Sequence, residues 1–359
     1  MTEIMPIAGM DDWERRLARQ DAFWRREILD RPVVAMTSWK GGHAAPAGRT
    51  YGTIRERWMD AEGVAAHAAA SIRNTAFYGD ALPSFMPNLG PEVFNAFLGM
   101  ELEFGENTSW SVANLHDWSG VERIRFDRNN PYWRKMEELT DALLAAGQGL
   151  FYVGLTDLHP GGDACAAFRD PMQLNLDLIE SPAEVARLMR RVTDLYFEVF
   201  AASRKRLADA GQACCTWAGP VSRLTWYVPS NDFSCMVSKE MFDAFFLPTL
   251  VEECRALEAS LYHLDGPGAL RHLDSLLAIP ELNAIQWVYG AGHGRASDWL
   301  HVYRACQAAG KGVQIFAGLD ELETLMGALR PEGVWISLSG VNDGETAAAV
   351  LRRVAKWTR

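Results

Sequence analysis

Eight short, nearly uninterrupted apolar runs, each followed by a stretch with helical spacing, constrain this chain more than any other feature. They lie at 32–36, 81–87, 149–155, 213–219, 260–264, 284–288, 312–318 and 333–339. An apolar run without polar alternation suits a strand buried on both faces, and such strands need helices packed over them. Eight strand-then-helix units predict an α/β fold, a closed (β/α)8 TIM barrel. The rival is an open doubly wound sheet, but no GxGxxG follows the first run and no P-loop signature occurs.

The 359 residues read as one barrel domain, 1–359, with additions. A charged helical segment at 11–29 precedes the first strand as an N-terminal extension. A long amphipathic helix follows that strand from about Arg55, and between 88 and 131 the rhythm fails in a Gly/Asn/Trp-rich stretch, a candidate insertion or lid. Further helices are expected at 131–147, 238–259, 267–277, 297–309 and 319–329, with another closing the chain. Ser181, Pro182 and Glu184 have the spacing of a capping box and mark one further helix start.

Composition narrows the function classes. A formal net charge of −11 with no basic run argues against nucleic acid and for a small-molecule ligand. No apolar stretch is long enough to span a bilayer, and the acidic N-terminus does not read as a secretory signal, so a cytoplasmic protein is expected. The six cysteines lack a CxxC or a disulfide framework, which fits reduced thiols.

In such a barrel chemistry sits at the C-terminal ends of the strands. There the third run leads to Asp157, His159 and Asp163, and the fourth to Trp217 and Arg223. The fifth ends in His263 and Asp265, the sixth in Gln286 and Tyr289, and the eighth in Ser337 and Ser339. Trp39 follows the first strand and could line a cavity. His263 and Asp265, two residues apart, share one face of a strand. Together they can hold a divalent ion through nitrogen and oxygen, or act as a base and its orienter. Further ligands would come from Cys235 or Asp232 in the loop SNDFSCMVSKE, or from Glu92.

Several segments resemble the uroporphyrinogen decarboxylase superfamily of (β/α)8 barrels, in particular its branch of corrinoid-linked methyltransferase-like proteins. They are ILDRPVVAM, GGDACAAFRDPMQLNLDLIESPAEV, SKEMFDAFFLPTL and YHLDG. The resemblance implies methyl transfer between a small methylated compound and a corrinoid protein partner, with a Zn²⁺ ion and a homodimer as family expectations. Two departures qualify it. The run Met36-Thr37-Ser38-Trp39-Lys40-Gly41 replaces the arginine-bearing run of true decarboxylases, so porphyrinogen decarboxylation is not expected. Asp265 stands where zinc-dependent members carry a thiolate, and Ser337 or Ser339 where they carry a second. A zinc ion here would therefore be held by N/O ligands, a harder and more Lewis-acidic centre. In that scheme His263, Asp265 and Tyr289 are the catalytic candidates, while Trp39, Asp157, His159, Trp217, Arg223 and Gln286 bind substrate. Two alternatives stand beside it. One is a lyase or decarboxylase of small carboxylates with His263 as acid or base and Arg223 as anion clamp; the other is a non-catalytic ligand-binding relative.

Overall fold

The structure is a computed structural model that describes residues 3–44 and 48–357. Its strands, in chain order, are β1 (Val33–Trp39), β2 (Thr75–Gly79), β3 (Ser84–Phe85), β4 (Leu102–Phe104), β5 (Ser109–Ser111), β6 (Tyr152–Val153) and β7 (Cys214–Cys215). They continue with β8 (Val221–Ser222), β9 (Trp226–Tyr227), β10 (Ala259–Asp265), β11 (Ala284–Val288), β12 (Gly312–Gly318) and β13 (Val334–Ser339). The central sheet has the order β2-β1-β13-β12-β11-β10-β9. All its neighbours are parallel except β2, which runs antiparallel to β1. The runs expected as the fifth to eighth strands match β10 to β13 closely, and the helices between them, among them Leu300–Ala308 and Leu322–Ala328, cover the sheet.

The fold is a mixed α/β architecture with a parallel central sheet, TIM-barrel-like in its strand succession. The expected closed ring is not present as continuous ladders among the described residues. β3 pairs only with β6, and one bond from Leu155 N to Cys215 O (2.8 Å) leads on to β7. Two local features shorten these strands. Pro83 has no N–H to give to a ladder. Gly219, at φ +103°, and Pro220 turn the chain back, so that β8 runs antiparallel to β7. The run at 213–219 is therefore a strand followed by a reversal, and β9 rather than β7 flanks β10.

Other expectations are refined by local chemistry. The helix after β1 is two helices, Ile54–Met59 and Ala61–Arg73, because Asp60 leaves the helical conformation and accepts a bond from Gly63 N at 3.0 Å. The helix at 238–259 contains a π turn at Phe242–Phe246 just before Pro248, which lacks the N–H that an α-helix needs there. The helix Pro182–Asp209 starts where expected, but Glu184 turns to Arg187 and the Ser181 hydroxyl does not cap it. Two helices ahead of it, Gly161–Arg169 and Pro171–Glu180, had no expected boundaries. Residues 88–131 hold the helix Val93–Phe97, the β4–β5 hairpin and a 3-10 turn, and Val93, Phe94 and Phe97 are buried in the main core. All six cysteines are free, and no described helix is long and apolar enough to cross a membrane.

The N-terminal helix Trp13–Trp24 is clamped to the sheet through Asp80. This buried carboxylate accepts from Arg19 Nη1 (3.0 Å), Arg31 Nη2 (2.9 Å) and the backbone N–H of Val34 (2.9 Å), and Gln20 bonds its carbonyl (2.6 Å). Asp80→Ala leaves the buried Arg31 guanidinium without a carboxylate and Arg19 with Asp30 alone, and should lower stability by about 3–5 kcal/mol. Urea denaturation checks this, and a loss under about 1 kcal/mol would show that water screens the cluster.

Candidate metal centre

The parallel register places His263 beside Gln286, and Gln286 beside Gln314, on three adjacent strands. Neighbours at one level of a sheet project to the same face. Gln314 Nε2 donates to the carbonyl of Ala218 at 2.7 Å, and Gln286 Nε2 donates to Gln314 Oε1 at 2.7 Å. Gln286 Oε1 then meets His263 Nδ1. A backbone carbonyl can only accept, so the direction of the whole row is fixed from its far end. The row makes Nδ1 of His263 the donor and leaves the lone pair of the neutral ring on Nε2. The edge of the ring packs at a right angle against Trp217, with centroids 5.0 Å apart.

The strand β9 continues to Ser230, which bridges to His263, and delivers Asp232 to the same strand ends. Donor atoms of Asp232, His263 and Asp265 lie within 4.8 Å of one another. A second group overlaps the first, for His159, Asp163 and Asp232 meet the same limit. Asp163 opens the helix Gly161–Arg169 and accepts from the backbone N–H groups of Asp232 (3.1 Å) and Phe233 (2.8 Å), which pins the Asp232 loop. His159 lies between two carboxylates, with Nε2 3.1 Å from Asp157 Oδ1 and Nδ1 3.4 Å from Asp163 Oδ2. Burial opposes charge on this ring, but the flanking Asp157 and Asp163 outweigh it and raise the pKa well above the ordinary imidazole value. Asp232 meets solvent on one side. Desolvation on the other, together with the Asp163 and Asp265 carboxylates, pushes its carboxyl up to about 6 against the opposing pull of His159 and His263.

Of the sequence candidates, His263, Asp265, Asp232, Gln286, His159, Asp157 and Trp217 are brought together. Trp217 links the two halves, since its Nε1 donates to Asp157 at 2.6 Å while its ring meets His263. It also forms part of the wall of a cavity of about 780 Å³, with Trp58, Phe85, Asn88, Glu106 and Thr216.

Other candidates lie elsewhere. Arg223 follows the reversal into β8, is bound to Asp21 of the N-terminal helix at 2.6 Å, and stands at the end of the sheet where strands begin. It is not placed to clamp a ligand at the strand ends. Trp39 is 70% exposed and takes no part in the cavity wall. Tyr289 bonds the carbonyl of Phe316 at 3.4 Å and stacks on Trp299, lining a separate cavity of about 550 Å³ with Ser337 and Ser339. Cys235 is exposed and joins neither donor group among the described residues. Glu92 is used by the β5 residue Ser111.

Two buried polar residues near this arrangement escape the strand-end reading. Gln314 lies inside the fully apolar-looking run GVQIFAG, where the polar interruption was its only signal. Glu253 is 1% exposed with neither oxygen hydrogen-bonded among the described residues, and its Oε1 lies 3.9 Å from where a side chain on Gly161 would begin. Desolvation first, then Asp163 and Glu252, push its carboxyl up to about 8.

No family model matches the chain, and no curated protein matches it in sequence. Its fold is similar to that of a methyltransferase from Methanosarcina mazei, with a TM-score of 0.59 at 11% identity, covering 94% of this chain and 97% of that one. That likeness is one of fold.

Two outcomes follow from the geometry. In Gln314→Leu the amide row loses its anchored direction, so ¹⁵N imidazole shifts should change from a fixed Nδ1–H tautomer of His263 to a mixture. A wild-type spectrum showing Nε2–H would refute the row. Between the ordinary carboxylate range and about 8, folded Glu253 keeps a proton that the unfolded chain has released, so its contribution to stability falls as pH rises, by about 1 kcal/mol per unit. Glu253→Gln should be more stable than wild type at pH 8 and should flatten that part of the stability–pH curve. Parallel curves for the two proteins would contradict the assignment.

Proposed function

We propose that the protein is a metal-dependent, methyltransferase-like enzyme of uroporphyrinogen decarboxylase-like (β/α)8 type, acting on a small methylated compound. Zn²⁺ would be held by Nε2 of His263 and the carboxylates of Asp265 and Asp232. The observation that carries this reading is the convergence of those three donors within 4.8 Å, with the histidine already presenting a lone pair. One nitrogen and two carboxylate donors suit zinc with a position left open, and an acceptor on the far ring nitrogen is the usual support of a metal-bound histidine. Bound there, zinc supplies a Lewis acid of harder character than a thiolate site gives.

The chain's own residues divide the remaining work. Gln286 and Gln314 hold the His263 ring in one tautomer, and Asp163 holds the Asp232 loop. Trp217 packs on the His263 ring and is also part of the wall of the 780 Å³ cavity, whose Trp58 and Phe85 offer apolar surface to a small substrate beside the centre. That volume suits a small compound, and a corrin macrocycle would be presented by a partner protein. The lyase alternative loses support because Arg223 is committed to Asp21.

Purified protein titrated with Zn²⁺ in a calorimeter should bind tightly, and His263→Ala should weaken that affinity at least about 100-fold. Native protein that binds no zinc would remove the basis of the reading. With zinc bound, methyl transfer to free cob(I)alamin can be followed by the visible spectrum of the corrinoid.

A further inference from the structure

We infer that the site takes a second divalent cation, held by His159 Nδ1, Asp163 and Asp232, with Asp232 bridging it to the first. The inference rests on the proposed metal reading only in that Asp232 is shared.

Three observations converge on it. The two donor groups overlap in Asp232 alone, and within each group every donor atom is within 4.8 Å of the others, the layout of a carboxylate-bridged pair. Each group also contains a histidine whose far nitrogen is already backed by an acceptor. His263 has Gln286 on Nδ1, and His159 has Asp157 on Nε2 at 3.1 Å. Asp157 is itself held by Trp217 Nε1 at 2.6 Å, so the ring it orients turns Nδ1 toward Asp163 and Asp232. An imidazole supported in this way on the far side is the arrangement that accompanies metal ligation.

The third observation is charge. Asp157, Asp163, Asp232 and Asp265 gather at these strand ends, and no Lys or Arg forms an ion pair with any of them among the described residues. Four carboxylates against the His159 ring, their one cationic partner, and one divalent ion still leave a net negative charge in a partly desolvated site. Two divalent ions balance it. The second ion takes the place of the proton on His159 Nδ1; that proton passes to solvent, and the 3.4 Å contacts of Nδ1 with Asp163 Oδ2 and Ser230 Oγ give way to the ion. Asp163 keeps lone pairs free for a metal while accepting its two backbone N–H bonds.

Zn²⁺ and Co²⁺ alone are sufficient probes, with the full chain and no substrate. Metal analysis after equilibration with Zn²⁺ should give two ions per chain. Both His159→Ala and His263→Ala should retain one, and Asp232→Asn should weaken both. Loading with two Co²⁺ should give exchange-coupled spins, the sign of a bridging ligand. One ion in the native protein, lost in His263→Ala and kept in His159→Ala, overturns the second site and leaves the proposed function standing. No ion at all overturns both. Two ions with uncoupled spins overturn the bridge. Circular dichroism of each variant confirms that lost stoichiometry is not lost folding, and the native stoichiometry decides the matter without any variant.

Discussion

The structure depends on register. Three parallel strands set His263, Gln286 and Gln314 at one level, and a single backbone carbonyl at Ala218 gives their hydrogen bonds a direction. A slip of one residue in any ladder would turn a member of the row to the opposite face. Buried amides are costly when unsatisfied, so the row also penalises the misregistered sheet more than an apolar row would. In this sense a polar device on the sheet specifies both the sheet and the side chain at its end.

Around that row the chain uses loops to bring in what the strands cannot supply. The segment after β6 and the extension of β9 meet over the ends of β10, and Asp163 ties one to the other through backbone N–H groups. The site is thus assembled from three stretches far apart in sequence, each anchored before it presents its donor. At the opposite end, Asp80 ties the N-terminal helix to β1 through two arginines. The reversal between β7 and β8 allows Arg223 and Ser222 to join that base, both bonded to Asp21.

Much of this was legible in the amino-acid order. β10 to β13 are long and continuously apolar, and their limits could be read to within a residue or so. His263 and Asp265 stood out because two polar residues end such a run at a period of two. The earlier part of the chain was harder, since Pro83, Gly219 and Pro220 break ladders in ways that depend on neighbours. The apolar run 213–219 looks like one strand, yet Gly219 can adopt a positive φ that sends the chain back. Arg223 was misplaced for that reason. Gln314 was overlooked because one polar residue in an apolar strand has no evident partner until the register is known. Asp232 and His159 sit on loops, where sequence shows the donor but not the direction in which it is held.

Trp217 touches three things at once: the carboxylate behind one histidine, the ring of the other, and the wall of the 780 Å³ cavity. A side chain in that position couples selectivity to alignment. Drift toward a bulkier or slimmer substrate cannot be accommodated at this residue without tilting both imidazoles. The cheaper evolutionary route to a new substrate is another part of the wall, where Glu106 and Asn107, in the loop between β4 and β5, belong to neither donor group.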